Sequence, residues 1–169
     1  MFNIGDKIVY PMHGAGIIEA IEEHNVLGEL HIYYVLRICF GGLKVLVPAA
    51  TINESGVRTI CTDEKVTEVF DILKDKADVL EDNWSKRYRF NMEKIKSGNI
   101  CFVAEVVRNL MWRNHSRGLS AGEKKMLDYA RQILISELML AESKTEVEII
   151  AIIEGTITYK PQETSLGIN

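Results

Sequence analysis

The chain has 169 residues, a length that fits one domain or two small ones. Hydrophobic residues make up 47% of it, which excludes wholesale disorder, and charges interrupt every long apolar stretch, which excludes a membrane-spanning helix. The net charge of −4 excludes a chain that is basic throughout, and the first six residues lack the basic and apolar segments of a signal peptide. We therefore expect a cytoplasmic protein.

The first 60 residues favour β-structure. Short runs rich in β-branched and aromatic residues alternate with glycine turns, a pattern typical of a small antiparallel barrel of the Tudor or SH3 type. The predicted strands are residues 4–10, 16–23, 31–38 and 43–47, with a shorter one at 57–60.

The segment Gly14-Ala15-Gly16 begins like a dinucleotide-binding loop. The third glycine is absent, and no helix follows. His13 beside it has no serine or cysteine nucleophile in register. We therefore predict a turn or bend here rather than a cofactor site.

A domain boundary is expected between residues 49 and 63, where the hydrophobic period changes from 2 to 3.6. The predicted division is a β domain at 1–52, a linker at 53–62, a helical domain at 63–157 and a tail at 158–169 that we expect to fray. The fold class is therefore α+β, a small β-barrel followed by an all-α bundle.

About five helices are predicted, each from an apolar stripe and a capping signal. Ser120 and Glu123 have capping-box spacing, and Gly98 is suited to the end of a helix because glycine tolerates positive φ. The predicted caps are Thr62 or Asp63 for the first helix, Asp82 or Asn83 for the second, Ser120 for the fourth and Thr145 for the fifth. The third helix is predicted to end near Gly118.

The stretch from Asn83 to Arg89 places one aromatic ring and three positive charges at the start of the second helix. An apolar wedge beside cations is the equipment of proteins that open a nucleic-acid groove, and Lys86, Arg87 and Arg89 would flank Trp84. Core packing is the alternative, because the stripe Trp84, Tyr88, Met92 and Ile95 has helical spacing.

Residues 81–131 form a basic block with eleven Lys and Arg and six Asp and Glu, a net charge of +5. Cations gathered on one surface can bind phosphate even in an acidic protein. Solvated helix faces, or ion pairs with Glu105, explain the arginines nearly as well. The candidate phosphate contacts outside the tryptophan stretch are Arg108, Arg113, Arg117 and Lys124.

Metal, disulfide and catalytic sites find little support. The three cysteines are widely spaced without a CxxC, and the four histidines form no HxxxH pair. No nucleophile, base and orienting group occur together, and there is no phosphate-binding loop. We expect no cofactor and no enzymatic activity.

Several motifs together resemble the CarD/CdnL family of bacterial RNA polymerase-binding transcription regulators. The first half has Gly5-Asp6-Lys7-Ile8-Val9-Tyr10-Pro11, Val47-Pro48-Ala49 and Gly56-Val57-Arg58. The second half has Asn83-Trp84-Ser85-Lys86-Arg87-Tyr88, Ala104-Glu105-Val106-Val107-Arg108 and Gly118-Leu119-Ser120-Ala121-Gly122-Glu123-Lys124. The first module also occurs in transcription-repair coupling factors, so the second makes the match specific.

The resemblance implies a Tudor-like domain that docks on the polymerase β subunit and a helical domain on promoter DNA at the upstream edge of the bubble. It places the family's minor-groove wedge on Trp84 and backbone contacts on Lys86 and Arg89. Such a factor stabilises the open complex, with little sequence specificity. The alternative is an adaptor that binds polymerase without touching DNA.

Some relatives carry arginines on the polymerase-facing surface where this chain has His24 and Leu46. The strand from Leu43 to Val47 could instead dock through its backbone as an added strand, or be an ordinary exposed strand. The predicted polymerase-binding residues are His24, Lys44, Val45, Leu46, Val47 and Pro48. We expect a nucleoid-associated monomer, with a domain-swapped dimer left open.

Overall fold

A computed structural model describes residues 1–157 and 159. Five strands precede five helices, which confirms the α+β class. The strands are β1 (Lys7–Tyr10), β2 (Gly14–Val26), β3 (Glu29–Ile38), β4 (Lys44–Pro48) and β5 (Arg58–Thr59). The helices are α1 (Asp63–Lys74), α2 (Trp84–Lys96), α3 (Ile100–Ser116), α4 (Ala121–Glu142) and α5 (Glu146–Thr156). The predicted fraying concerns residues that, except for Tyr159, lie outside the described part.

The strands form one antiparallel sheet in the order β4-β3-β2-β1-β5, so β4 and β5 are its edges. The long β2–β3 hairpin closes through Leu27 and Gly28, whose φ angles of 53° and 86° are those of a type I′ turn. Ile8, Ile18 and Leu36 fill the core of the sheet. The pairing of β5 with β1 brings part of the predicted linker into the sheet.

Each of the five α-helices begins at a polar cap whose side chain accepts a backbone N–H, which satisfies a donor that the helix itself leaves free. The caps are Thr62, Asn83, Asn99, Ser120 and Thr145, and the last two form complete capping boxes. Helices α3 and α4 supply most of the buried apolar side chains, and the other three pack around them.

The two halves of the chain pack directly against each other, with β1 and β2 on α4. Val9, Ala15 and Leu140 form a small apolar cluster there, and the Ala15 N–H donates to Ser136 Oγ at 2.8 Å. A Cβ on Gly14 would lie 2.6 Å from that oxygen, so this close approach needs glycine. The predicted turn at residues 14–16 is wrong in position, because Gly14 opens β2 and the turn is at 11–13.

A buried ion pair joins the same two halves. Arg58 in β5 donates from Nη1 and Nη2 to the two carboxylate oxygens of Glu137 in α4, at 2.7 and 2.8 Å. The guanidinium also donates to the carbonyl of Gly98, in the turn between α2 and α3. Glu137 is only 1% exposed. One side chain thus ties the sheet to α4 and to the end of α2.

Candidate nucleic-acid interface

Helix α2 begins with Trp84, because Asn83 caps it by accepting the Lys86 N–H at 3.0 Å. Its first turn contains no acidic residue. The positive end of the helix dipole is therefore not neutralised locally, and it favours a negatively charged ligand.

The indole of Trp84 lies on the surface with its base packed on the protein. The ring is stacked on Tyr88, with centroids 5.1 Å apart and planes 23° apart. Its Nε1 donates to Ser120 Oγ at 3.0 Å, and the ring is 44% exposed. The core-packing alternative thus holds for Ile95, which is buried, but not for the tryptophan.

Arg87 does not lie on this surface, which corrects its assignment as a DNA contact. The guanidinium is part of a side chain only 3% exposed, and Nε donates to Glu123 Oε1 at 2.6 Å. Nη1 donates to the carbonyls of Glu81 and Asp82. Burial acts to raise the pKa of Glu123, but the hydrogen bond and charge of Arg87 outweigh it, so that pKa falls below its usual value. The arginine fastens the start of α2 to the start of α4.

Arg108 is also buried, at 4% exposure, and the same correction applies to it. Its Nη2 donates to Asp78 Oδ2 at 3.0 Å and its Nη1 to the Ile72 carbonyl. The expected partner Glu105 instead pairs with Lys94 at 2.5 Å. Arg108 therefore holds the segment between α1 and α2 in place.

The remaining predicted cations are accessible to different degrees. Lys86, Arg89, Arg117 and Lys124 are exposed, whereas Arg113 is half-buried and its Nε has no hydrogen-bond partner among the described residues. Two further exposed lysines, Lys96 in α2 and Lys125 in α4, were not among the predicted contacts. Arg89 and Lys96 line the same groove of α2 as Trp84, together with the acidic Glu93, whereas Lys86 lies on the side of α2 that carries Phe90. We use the name tryptophan surface for the exposed indole together with the exposed cations of α2 and of the start of α4, which are Lys86, Arg89, Lys96, Lys124 and Lys125.

The predicted polymerase-binding residues fall on one face of the sheet, with two exceptions. Strand alternation and register place Lys44, Leu46 and Pro48 of β4 on the same face as His24 of β2. His24 packs edge-to-face on Tyr33, which is opposite Pro48. We call this face the β4 surface.

The exceptions are Val45 and Val47. The side chain of Val47 points into the core and is fully buried, so it offers only its backbone to a partner. Val45 is on the same side of the strand and is half-buried. Because β4 is an edge strand, its outer backbone groups do not pair with another strand in the described sheet. These groups are therefore available to pair with an added strand.

Charges on the β4 surface are paired with one another. Glu19 binds Arg37 at 2.7 Å and Lys44 at 3.0 Å, and the pKa of Glu19 is lowered, first by the Lys44 hydrogen bond. His24 lies 2.8 Å from Glu22. Leu46 is 48% exposed between them, which makes this surface mixed rather than basic.

Two protein-family models match the chain. The CarD-like/TRCF RID domain matches residues 2–61, and the CarD C-terminal domain matches residues 68–154. A Bacillus subtilis (strain 168) protein described as "Putative transcription factor YdeB" is 44% identical over 149 residues, covering 88% of this chain and 97% of that protein. The chain belongs to the CarD family. It is a transcription factor of the CarD type, so the family predicted from the motifs is confirmed.

Other kinds of site are not apparent in this CarD-family chain. Within residues 1–157, no cluster of three or more His, Cys, Asp and Glu is placed to hold a metal ion. None of the five helices is both long and apolar enough to cross a membrane. The cysteines at 39, 61 and 101 are free thiols.

Sequence inspection missed the contacts that fix the tryptophan. Ser120 was recognised as a helix cap, and Tyr88 as part of an apolar stripe, but nothing in the sequence indicates that both touch Trp84. The two missed lysines did carry a signal, since both belong to the basic block.

Proposed function

We propose that this protein docks on the RNA polymerase β subunit through the β4 surface and contacts promoter DNA through the tryptophan surface. In this proposal Trp84 enters the minor groove at the upstream edge of the bubble and stabilises the open complex, in the cytoplasm and on the nucleoid. The observation that carries it is the half-exposed indole at a helix N-terminus, in a groove with the exposed Arg89 and Lys96, which form no ion pair among the described residues.

The indole is suited to a distorted base step because it is large, flat and apolar. Unstacking a step costs a few kcal/mol, and a side chain that occupies the opening recovers part of that cost. The gain exists only where the step is open. Binding therefore shifts the equilibrium toward the open complex by the difference in affinity for the two states.

The cations supply attraction without sequence information. Lys86 and Arg89 lie within two turns of Trp84, and Lys124 and Lys125 lie in the first two turns of α4, whose start contacts the indole. Lysine and arginine contacts to phosphates position a protein on DNA but do not specify bases. Docking on polymerase supplies the local concentration that such weak contacts need.

The test is the lifetime of a promoter open complex with cognate polymerase, measured with the wild type, Trp84→Ala and Phe90→Ala. Phe90 is a matched control, an exposed aromatic residue on another side of α2. We expect the wild type and Phe90→Ala to lengthen the lifetime. Trp84→Ala should lose about 1–3 kcal/mol of stabilisation, the value of one base–aromatic contact.

The alternative function, a polymerase adaptor without DNA contact, gives a different result. In that case Trp84→Ala and the wild type would act alike, and binding to polymerase would not depend on promoter DNA. Thermal unfolding of each variant serves as the check on folding. A Trp84→Ala variant that unfolds would mean that the ring is needed for the core, against the wedge.

A further inference from the structure

The indole of Trp84 is held by three neighbours from two helices. Tyr88, one turn further along α2, stacks on its face. Ser120, the cap of α4, accepts its N–H. Gly122 lies against its benzene edge, since a Cβ there would be 3.4 Å from Cζ2. A side chain confined on three sides has few rotamers open to it.

The hydroxyl of Ser120 has no hydrogen-bonding capacity to spare. Its oxygen accepts from the Trp84 indole at 3.0 Å and from the Glu123 N–H at 3.2 Å. Its own proton is directed to Glu123 Oε2 at 3.3 Å. Since a hydroxyl has one donor and two acceptor positions, all three are used.

Glu123 closes this arrangement into a ring, because its other oxygen binds the buried Arg87. Trp84 and Arg87, three residues apart in α2, thereby face Ser120 and Glu123, which have the same spacing at the start of α4. Trp84 is bonded to Ser120, and Arg87 to Glu123. Each bond keeps the partners of the other in register, so the indole is connected to the buried ion pair of Arg87 and Glu123.

We propose that Ser120 and Tyr88 are positioning residues that hold Trp84 as a rigid wedge, with its N–H engaged inside the protein and only its carbon edge offered to DNA. This inference rests on the proposed function. Two consequences separate it from a wedge on a mobile side chain.

The first consequence is pre-organisation. A ring that is already fixed loses little side-chain entropy when it enters a base step, so more of the stacking contact appears as binding. The second is indifference to base edges. A wedge without a free donor distinguishes base steps by how easily they open, which is greatest at TA and CA/TG steps.

The first experiment needs no DNA. Indole N–H exchange with solvent and acrylamide quenching of Trp84 are compared in the wild type, Ser120→Gly and Ser120→Thr, with the Trp112 signals identified by Trp112→Phe. Glycine is a tolerated cap that lacks the acceptor, whereas threonine retains both functions. We expect faster exchange and stronger quenching in Ser120→Gly and wild-type values in Ser120→Thr.

The matched control is Thr145→Gly, which removes the same kind of capping box from α5. A helix of 22 residues separates it from Ser120, a length of about 33 Å. We expect it to leave the Trp84 exchange and quenching unchanged. Unchanged values in Ser120→Gly as well would overturn the proposal, because the indole would then not depend on the hydroxyl.

The second experiment is the open-complex lifetime. Ser120→Gly should shorten it roughly two- to tenfold, the effect of one lost neutral hydrogen bond, and Ser120→Thr should restore it. Tyr88→Leu is a second variant that removes the stacking without altering a cap, and it should shorten the lifetime likewise. Wild-type lifetimes in both Ser120→Gly and Tyr88→Leu would overturn the inference.

The two proposals fail in different ways. If the wild type does not lengthen the lifetime, the DNA function fails, while the exchange measurement still reports whether the indole is fixed. If the wild type lengthens it but Ser120→Gly and Tyr88→Leu do so equally, the function stands and the positioning role is lost.

Discussion

The tryptophan surface and the β4 surface use their charges in opposite ways. Beneath the tryptophan surface the buried charges are paired, as Arg87 is with Glu123, and the exposed cations are left without ion pairs in the described structure. On the β4 surface the exposed charges pair with one another around Leu46. The first arrangement suits the proposed attraction of phosphates over a distance, and the second suits the proposed contact by shape and backbone.

The largest expected effect concerns the buried pair under the tryptophan surface. Arg87→Ala leaves the Glu123 carboxylate buried without its partner, so the free energy of unfolding should fall by about 3–5 kcal/mol. Denaturant unfolding measures it. The control is Lys124→Ala, an exposed neighbour that should change stability by less than about 0.5 kcal/mol. Similar values for the two variants would contradict the structural role given to Arg87.

The next effect concerns the β4 surface. Leu46→Asp replaces the exposed leucine of the β4 surface with a charge. This change should weaken binding to the isolated polymerase β subunit about tenfold, the effect of a moderately important interface residue. Val147→Asp is the control, since Val147 is 77% exposed and belongs to α5 rather than to the sheet. Equal binding by both variants would show that the docking site does not include Leu46.

A smaller effect separates the two surfaces by salt. Each phosphate contact contributes about 0.9 to the slope of log affinity against log salt, so Lys86→Ala with Arg89→Ala should reduce that slope by roughly two in DNA binding. Lys7→Ala, an exposed cation in β1, should not change it. Binding to the β subunit should depend weakly on salt. A steep salt dependence of β-subunit binding would show that the β4 surface also binds through its charges, against the contrast between the two surfaces.

The smallest effect is on acid stability. The pKa of Glu123 is lowered in the folded protein, so its contribution is present above the unfolded value, about 4.3, and is lost as the pH falls through the folded value. Glu123→Gln should therefore be less stable at neutral pH and lose less stability on acidification than the wild type.

Glu19 provides the comparison for that measurement. Its pKa is lowered too, but its ion pairs are on the solvated β4 surface, where screening weakens them. Thermal unfolding of Glu19→Gln should follow the wild type closely across the same acid range. A larger change for Glu19→Gln than for Glu123→Gln would reverse the assignment of strong pairing to the buried site.

Features set by neighbours in the chain could be predicted from the sequence. The capping box at Ser120 and the cap at Asn83 depend on contacts within about four residues, and the structure has both. The apolar periods that divide strands from helices are equally local. For this reason the sequence predicts both the fold class and the order of strands and helices.

Features set by distant residues could not be predicted. Arg87 and Arg89 are two positions apart and chemically identical, yet one is buried and the other is exposed. The difference comes from Glu123, which lies 36 residues away and pairs only with the first. Gly14 is similar, because its need for glycine arises from Ser136 on the opposite side of a domain contact.

The contacts of Arg58 bear on the distance between the tryptophan surface and the β4 surface. By bonding both Glu137 and the Gly98 carbonyl, it connects the sheet to the two helices whose starts hold Trp84. If the two surfaces bind as proposed, this connection would hold them at one separation. On a polymerase the protein would present the indole at one height along the promoter, and a shift of one base pair, about 3.4 Å, would put a different step in reach. The effect on a promoter would then depend on the position of its most easily opened base step.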